Sequence, residues 1–209
     1  MLRWTTEAAW CLILRMQTLG ISDSTPRTES RFKSLFWPSI QSGADVDYLA
    51  VQGFWVCTIV AVLSFLIFFF MARQPFVAVL LFLLFHLGGV GVREHSRWAA
   101  AAVFAFYGVD TLASGRSLVA SPGGLVLRVV ITALLLSNLR ATWIAAHWQV
   151  GSDEAALPPR FGDTWKDKFT DKWPAWLWPK VKVLYYIFAI GFLLIAVLGL
   201  VVMARGGGH

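Results

Sequence analysis

Long apolar runs separated by short polar turns make up most of the chain after residue 48. A helix needs about 20 predominantly apolar residues to cross a bilayer, and the run 98–113 is near the short limit. The five runs lie at 49–71, 76–92, 98–113, 125–148 and 183–203. The pattern therefore predicts an all-α integral membrane protein, a bundle of about five transmembrane helices.

The polar segments divide the chain further. Residues 1–48 are expected to form a cytoplasmic N-terminal tail, partly flexible because Ser, Thr, Asp and Pro are frequent in its centre. Residues 49–148 form the four-helix transmembrane region, and 149–182 a cytoplasmic interfacial segment rich in Trp and Lys. The last helix and a short external tail occupy 183–209. Arg15 interrupts the first apolar stretch, so Met16 competes with Met1 as the true start.

Composition supports a membrane environment. Hydrophobic residues make up 57% of the 209 positions and charged residues only 14%, whereas an ordinary soluble domain has about 25% charged residues. The net charge is +6, but the basic residues lie at the edges of the apolar runs and form no single patch. The predicted partner is therefore the lipid bilayer with its anionic headgroups, and not nucleic acid.

Lysine and arginine also predict the orientation. With a cytoplasmic N-terminus, thirteen of the 18 basic residues lie in inside segments and three in outside segments. Cytoplasmic loops carry this excess in multi-pass proteins. The expected location is the cytoplasmic membrane of a bacterium, with the N-terminus inside and the C-terminus outside.

Two charged residues fall inside neighbouring spans. Asp110 lies near the outer end of the third run and Arg128 a similar distance into the fourth. At 1.5 Å per residue, both lie about 6 Å below the outer boundary. Because a short turn joins the two helices, we predict an Asp110–Arg128 ion pair. A structural link between the helices is the favoured interpretation, and an ion or proton site is the alternative.

A second group of polar residues is predicted at the inner side. It contains His86, Glu94, Arg140 and His147. Three glycines beside it would let another helix approach closely: Gly88, Gly89 and Gly91.

Three hypotheses explain this group. The two histidines, His86 and His147, could ligate a b-type haem, although their depths differ. Alternatively, the group could line the translocation path of a small transporter or channel that uses the intramembrane charges of Asp110, Arg128 and Arg140. The hypothesis with most weight is that each histidine is satisfied by a neighbouring hydroxyl or carbonyl.

The stretch "DTWKDKFTDKWPAWLWPKVK" at 163–182 precedes the last run. Its aromatic and acidic residues recur every four positions, which predicts an amphipathic interfacial helix ended by Pro174. Aromatic belts and lysines mark membrane interfaces. The predicted interface anchors are Trp165, Phe169, Trp173, Trp176, Trp178, Lys180 and Lys182. Docking of the aromatic stripe into a partner subunit is the alternative.

No catalytic motif, phosphate-binding loop or metal-ligand spacing occurs in the sequence. We therefore expect no catalytic residues, no metal and no cofactor. The sequence favours an accessory, scaffold or oligomer-forming subunit without its own catalytic site. Its expected protein partners are copies of itself or a larger membrane complex.

Overall fold

The computed structural model describes residues 36–114, 122–148 and 165–206, and these residues are helical apart from short turns. The π-helical segment Ile67–Met71 continues the first helix. The helical turn Trp165–Asp167 and the π-helical segment Lys168–Lys172 precede the last one. The five long helices are α1 (Gly43–Leu66), α2 (Pro75–Arg93), α3 (Arg97–Ala113), α4 (Pro122–Ala145) and α5 (Trp173–Gly206).

The helices form one bundle with α2 at its centre. Helix α2 packs against α1, α3 and α5, while α4 packs against α1 and α3. The segments Gly43–Met71, Pro75–Arg93, Gly123–Ala145 and Lys168–Val202 are long and apolar enough to cross a membrane. Helix α3, with 17 residues, is shorter. The predicted fold class, an all-α membrane bundle, is confirmed.

Successive helices run in opposite directions, so the bundle has two distinct ends. The Arg93 end contains the starts of α1 and α3 and the ends of α2 and α4. The residues that precede α5 also lie there, because Asp171 bonds to Arg93. The Asp110 end is opposite.

Glycines on α2 allow the close packing at the centre. A Cβ at Gly91 would lie 2.5 Å from the Trp178 ring, and a Cβ at Gly89 would lie 2.7 Å from Cys57 Cβ. At Gly88 it would lie 2.7 Å from Tyr185 Oη. Real Cβ atoms cannot approach other heavy atoms so closely, so only glycine fits these contacts. The predicted close approach of neighbouring helices is confirmed.

Helix α1 begins before the first apolar run does, at Gly43. Ser42 caps it, because its side chain accepts from the Asp45 N–H while the Asp45 carboxylate accepts from the Ser42 N–H. This reciprocal arrangement is a capping box. It extends the helix six residues toward the N-terminus, and the Ser-x-x-Asp spacing was a signal for it.

The prediction that Pro174 ends the interfacial helix is wrong. Helical structure continues from Trp165 to Gly206 through the π-helical segment, with Pro174 in the first turn of α5 and Pro179 inside it. The early helix positions tolerate proline because their N–H groups need no partner within the helix. The described part of the interfacial segment is thus continuous with the last span; residues 149–164 lie outside the described residues.

Candidate functional site

Arg93, the last residue of α2, is 1% exposed and binds two other parts of the chain. Its Nη1 and Nη2 donate to the two carboxylate oxygens of Asp47 on α1, at 2.6 and 3.3 Å. Nη2 also donates to Asp171 at 2.7 Å, and Nε donates to the Thr170 carbonyl at 3.0 Å. We call Asp47, Arg93, Thr170 and Asp171 the Arg93 clasp. It joins α1, α2 and the segment that leads into α5.

The Thr170 contact lies where the helical hydrogen-bond pattern changes. Thr170 belongs to the π-helical segment Lys168–Lys172, and α5 begins at Trp173. Pro174, in the first turn of α5, has no N–H to donate. Arg93 Nε donates to the Thr170 carbonyl at this junction, so a side chain of α2 holds the backbone where its own hydrogen bonding is irregular.

The electrostatics of the clasp favour a structural role. One guanidinium faces two carboxylates, and His95 Nε2 lies 3.7 Å from Asp47 Oδ1. The planar fork of arginine binds Asp47 through two nitrogens while it also reaches Asp171, and the compact ammonium of lysine does not match this bidentate geometry. Charges this deeply buried are tolerated only when paired, and removing one partner costs about 3–5 kcal/mol.

Sequence reasoning missed the clasp. It placed Asp47 in the tail, Arg93 just after the second apolar run and Asp171 among the acidic residues that recur every four positions. Asp171 is instead 8% exposed and bonded to Arg93. Asp171 lies four residues after Asp167 and three before Pro174. This local pattern indicates a helical segment, but nothing in it links Asp171 to α2.

Asp110 and Arg128 meet at the other end of the bundle. Arg128 Nη1 donates to Asp110 Oδ2 at 2.6 Å and lies 3.5 Å from Thr111 Oγ1. The pair links α3 to α4 and is partly exposed, with 26% of the Arg128 side chain and 51% of the Asp110 side chain accessible. Its geometry is the one that the short connection between the two helices predicts.

The polar residues predicted to cluster at the inner side have separate partners in the structure. His86 Nδ1 lies 3.5 Å from Thr58 Oγ1, and its ring stacks on Phe82. Arg140 turns to the N-terminal segment, where it donates to the Pro38 carbonyl at 2.9 Å.

The remaining two members lie at helix ends. His147 Nδ1 is 2.7 Å from the Trp143 carbonyl of its own helix, and its side chain is exposed. Glu94 follows the last residue of α2. His86 and His147 thus have separate surroundings, so their arrangement does not match that of two axial ligands of one haem.

The predicted interface anchors divide into two groups. Trp165 and Trp176 are exposed, and Lys180 Nζ lies 3.6 Å from the centre of the Trp176 ring. Trp173 and Lys182 are also exposed. Phe169 instead packs on α1, where the centre of its ring lies 5.5 Å from the centre of the Phe54 ring.

Trp178 does not belong with the anchors. It is 8% exposed and belongs to the buried core, because the missing side chain of Gly91 leaves space for its indole ring. Its assignment to the membrane interface is wrong.

Within the described ranges, no group of three or more His, Cys, Asp or Glu side chains is placed to hold a metal ion. Comparison of the chain with protein-family models, curated proteins and solved structures finds no match in any of the three. The fold and its apolar helices define the class: an α-helical, multi-pass membrane protein.

Proposed function

We propose that the protein is an accessory or scaffold subunit of a membrane complex, without a catalytic site of its own. The observation that carries this proposal is the use of buried charge. Arg93 donates hydrogen bonds to two carboxylates and one carbonyl of its own chain. Such internal pairing fixes helices relative to one another, because four of the five guanidinium N–H groups are bonded within the chain.

The surface of α5 supports a role in assembly. This helix packs on α2 and α3 along one side, while its other side presents an apolar face. The most exposed members of that face are Leu184, Ile187, Ile190, Leu194, Ile195, Leu198 and Val202. A face of this kind lies against lipid tails or against a helix of another subunit.

Native mass spectrometry of protein extracted in mild detergent tests the proposal. We expect the chain to be retained in a homo-oligomer or in a stoichiometric complex with another membrane protein. An absorbance scan of the same sample tests the haem hypothesis, because a bis-histidine haem gives a Soret band. A chain that stays monomeric both in mild detergent and in native lipid discs would contradict a scaffold role.

A small transporter is the second candidate, and one observation favours it. Asp110 lines a cleft of about 170 Å³ between α3 and α5, together with Ala196 and Gly199. A carboxylate in a cleft is a plausible contact for a cation or proton. Flux per folded protein in liposomes that contain Asp110→Asn protein should then fall, in addition to the loss of stability that follows from breaking the pair with Arg128. Gly108→Ala is the matched control on the same helix, because a Cβ there meets no atom within 4 Å.

A further inference from the structure

A second cleft lies between α3 and α5, nearer the Arg93 end than the cleft at Asp110, and it is open at the surface of the bundle. It has a volume of about 370 Å³, within the range of small-ligand sites. We call it the α3–α5 cleft, and its lining includes Trp98, Ala101, Ala105, Tyr186, Ile190 and Leu193. Alanines on α3 create the hollow, because larger residues at those positions would fill it. The lining is almost entirely apolar and suits a hydrocarbon chain.

The cleft has a polar mouth at the Arg93 end. Ser96 Oγ and Tyr186 Oη lie 2.6 Å apart there and share a hydrogen bond. Arg97 follows Ser96 in the chain, and its guanidinium lies 5.5 Å from the centre of the Trp98 ring, which lines the cleft. Lys182 precedes Tyr186 by one helical turn and therefore lies on the same side of α5.

Both cations lack an acidic partner in the described part of the chain. Arg97 instead lies over two indole rings, those of Trp98 and Trp143. Arg97 and Lys182 are both exposed. Two cations beside an apolar cleft provide what an anionic amphiphile needs.

We propose that the α3–α5 cleft binds one phospholipid with an anionic headgroup. An acyl chain lies along the alanine side of α3, and the phosphate contacts Arg97 and Lys182 at the mouth. The hydroxyls of Ser96 and Tyr186 mark the boundary between the headgroup and the chain. This proposal does not rest on the assembly role proposed above, although Ile190 belongs both to the cleft lining and to the exposed face of α5.

Charge argues for a lipid over a second copy of the chain. In a twofold dimer, the same surface of each subunit faces its equivalent. Pairing through the cleft would bring Arg97 and Lys182 of both copies together at one depth in the membrane. Four cations would then meet, whereas an anionic headgroup neutralises the two that belong to one copy.

The test compares two probes with identical acyl chains, phosphatidylglycerol and phosphatidylcholine, added to delipidated protein and followed by native mass spectrometry. We expect one phosphatidylglycerol per chain, bound roughly 30-fold more tightly than phosphatidylcholine, since two basic residues contact the headgroup. Equal affinities for the two lipids would overturn the proposal.

Two kinds of variant locate the site. Arg97→Gln together with Lys182→Gln should remove the preference for phosphatidylglycerol and leave the weaker binding of phosphatidylcholine. Ala105→Phe should fill the cleft and weaken the binding of both lipids. Lys180→Gln is the matched control, because Lys180 lies on the Trp176 ring instead, and it should leave the preference unchanged.

Other outcomes contradict the site. If the preference for phosphatidylglycerol survives the double glutamine change, the headgroup binds elsewhere. Loss of that preference in Lys180→Gln would lead to the same conclusion. A dimer in the unmodified protein that Ala105→Phe dissociates makes a second copy the occupant. The glutamine variants alter exposed side chains, so they remain informative even where Ala105→Phe fails to fold.

Discussion

Arg93 Nε lies 3.0 Å from the carbonyl oxygen of Thr170 and donates a hydrogen bond to it. That carbonyl belongs to the π-helical segment just before Pro174. The same guanidinium pairs with Asp47 and Asp171. A single side chain therefore contacts the backbone beside a proline and neutralises two buried carboxylates, which fixes the segment leading into α5 against α1 and α2.

The Asp110–Arg128 pair should behave as a link between α3 and α4. Arg128→Ala leaves the Asp110 carboxylate without its cation, so we expect a loss of about 1–2 kcal/mol in the free energy of unfolding, between the values typical of exposed and of buried pairs. The double variant Arg128→Ala with Asp110→Asn should lose less than Arg128→Ala alone. Unfolding in detergent micelles measures both losses, and simple additivity would rule out the coupling.

The glycines of α2 should be sensitive to the smallest enlargement. Gly91→Ala places a methyl group 2.5 Å from both the Trp178 ring and Ala99 Cβ. We expect it to destabilise by about 1–3 kcal/mol, the usual cost of overpacking.

Gly108 provides the control for that experiment, because a Cβ there meets no atom within 4 Å. Gly108→Ala should stabilise by about 0.5–1 kcal/mol, since alanine loses less backbone entropy in a helix. Melting temperatures of the two variants give the comparison. Equal shifts in the same direction would refute the close packing at Gly91.

The proposed orientation puts the N-terminus inside and the C-terminus outside. The excess of basic residues predicts that a cytoplasm-dependent reporter fused after His209 is inactive, whereas the same reporter fused after residue 150 is active. An active reporter at His209 would show that α5 has the opposite orientation.

Part of this architecture follows from the sequence alone. A run of apolar residues predicts a span because lipid is the only solvent that accepts it, so the long helices were predictable. The Asp110–Arg128 pair was predictable because a short connection makes α3 and α4 neighbours. Both inferences use information that is local in the chain.

The rest depends on packing between distant segments. The Arg93 clasp combines three segments, and the periodicity of each one says nothing about the others. Trp178 is a tryptophan beside a lysine-rich stretch, as interfacial anchors are, but the space left by Gly91 places its side chain in the core. Pro174 is a helix breaker by local rules, yet helical structure continues past it, and Arg93 on α2 contacts the Thr170 carbonyl just before it.

The central claim is that buried charge holds these helices together, and a mutant cycle on the Arg93 clasp tests it most directly. Arg93→Met leaves two carboxylates facing each other, so the free energy of unfolding in micelles should fall by about 3–5 kcal/mol. Arg205→Met, at an exposed position near the end of α5, should change little. Adding Asp47→Asn and Asp171→Asn to Arg93→Met should recover at least half of the loss. A triple variant as unstable as Arg93→Met, or less stable, would contradict the account.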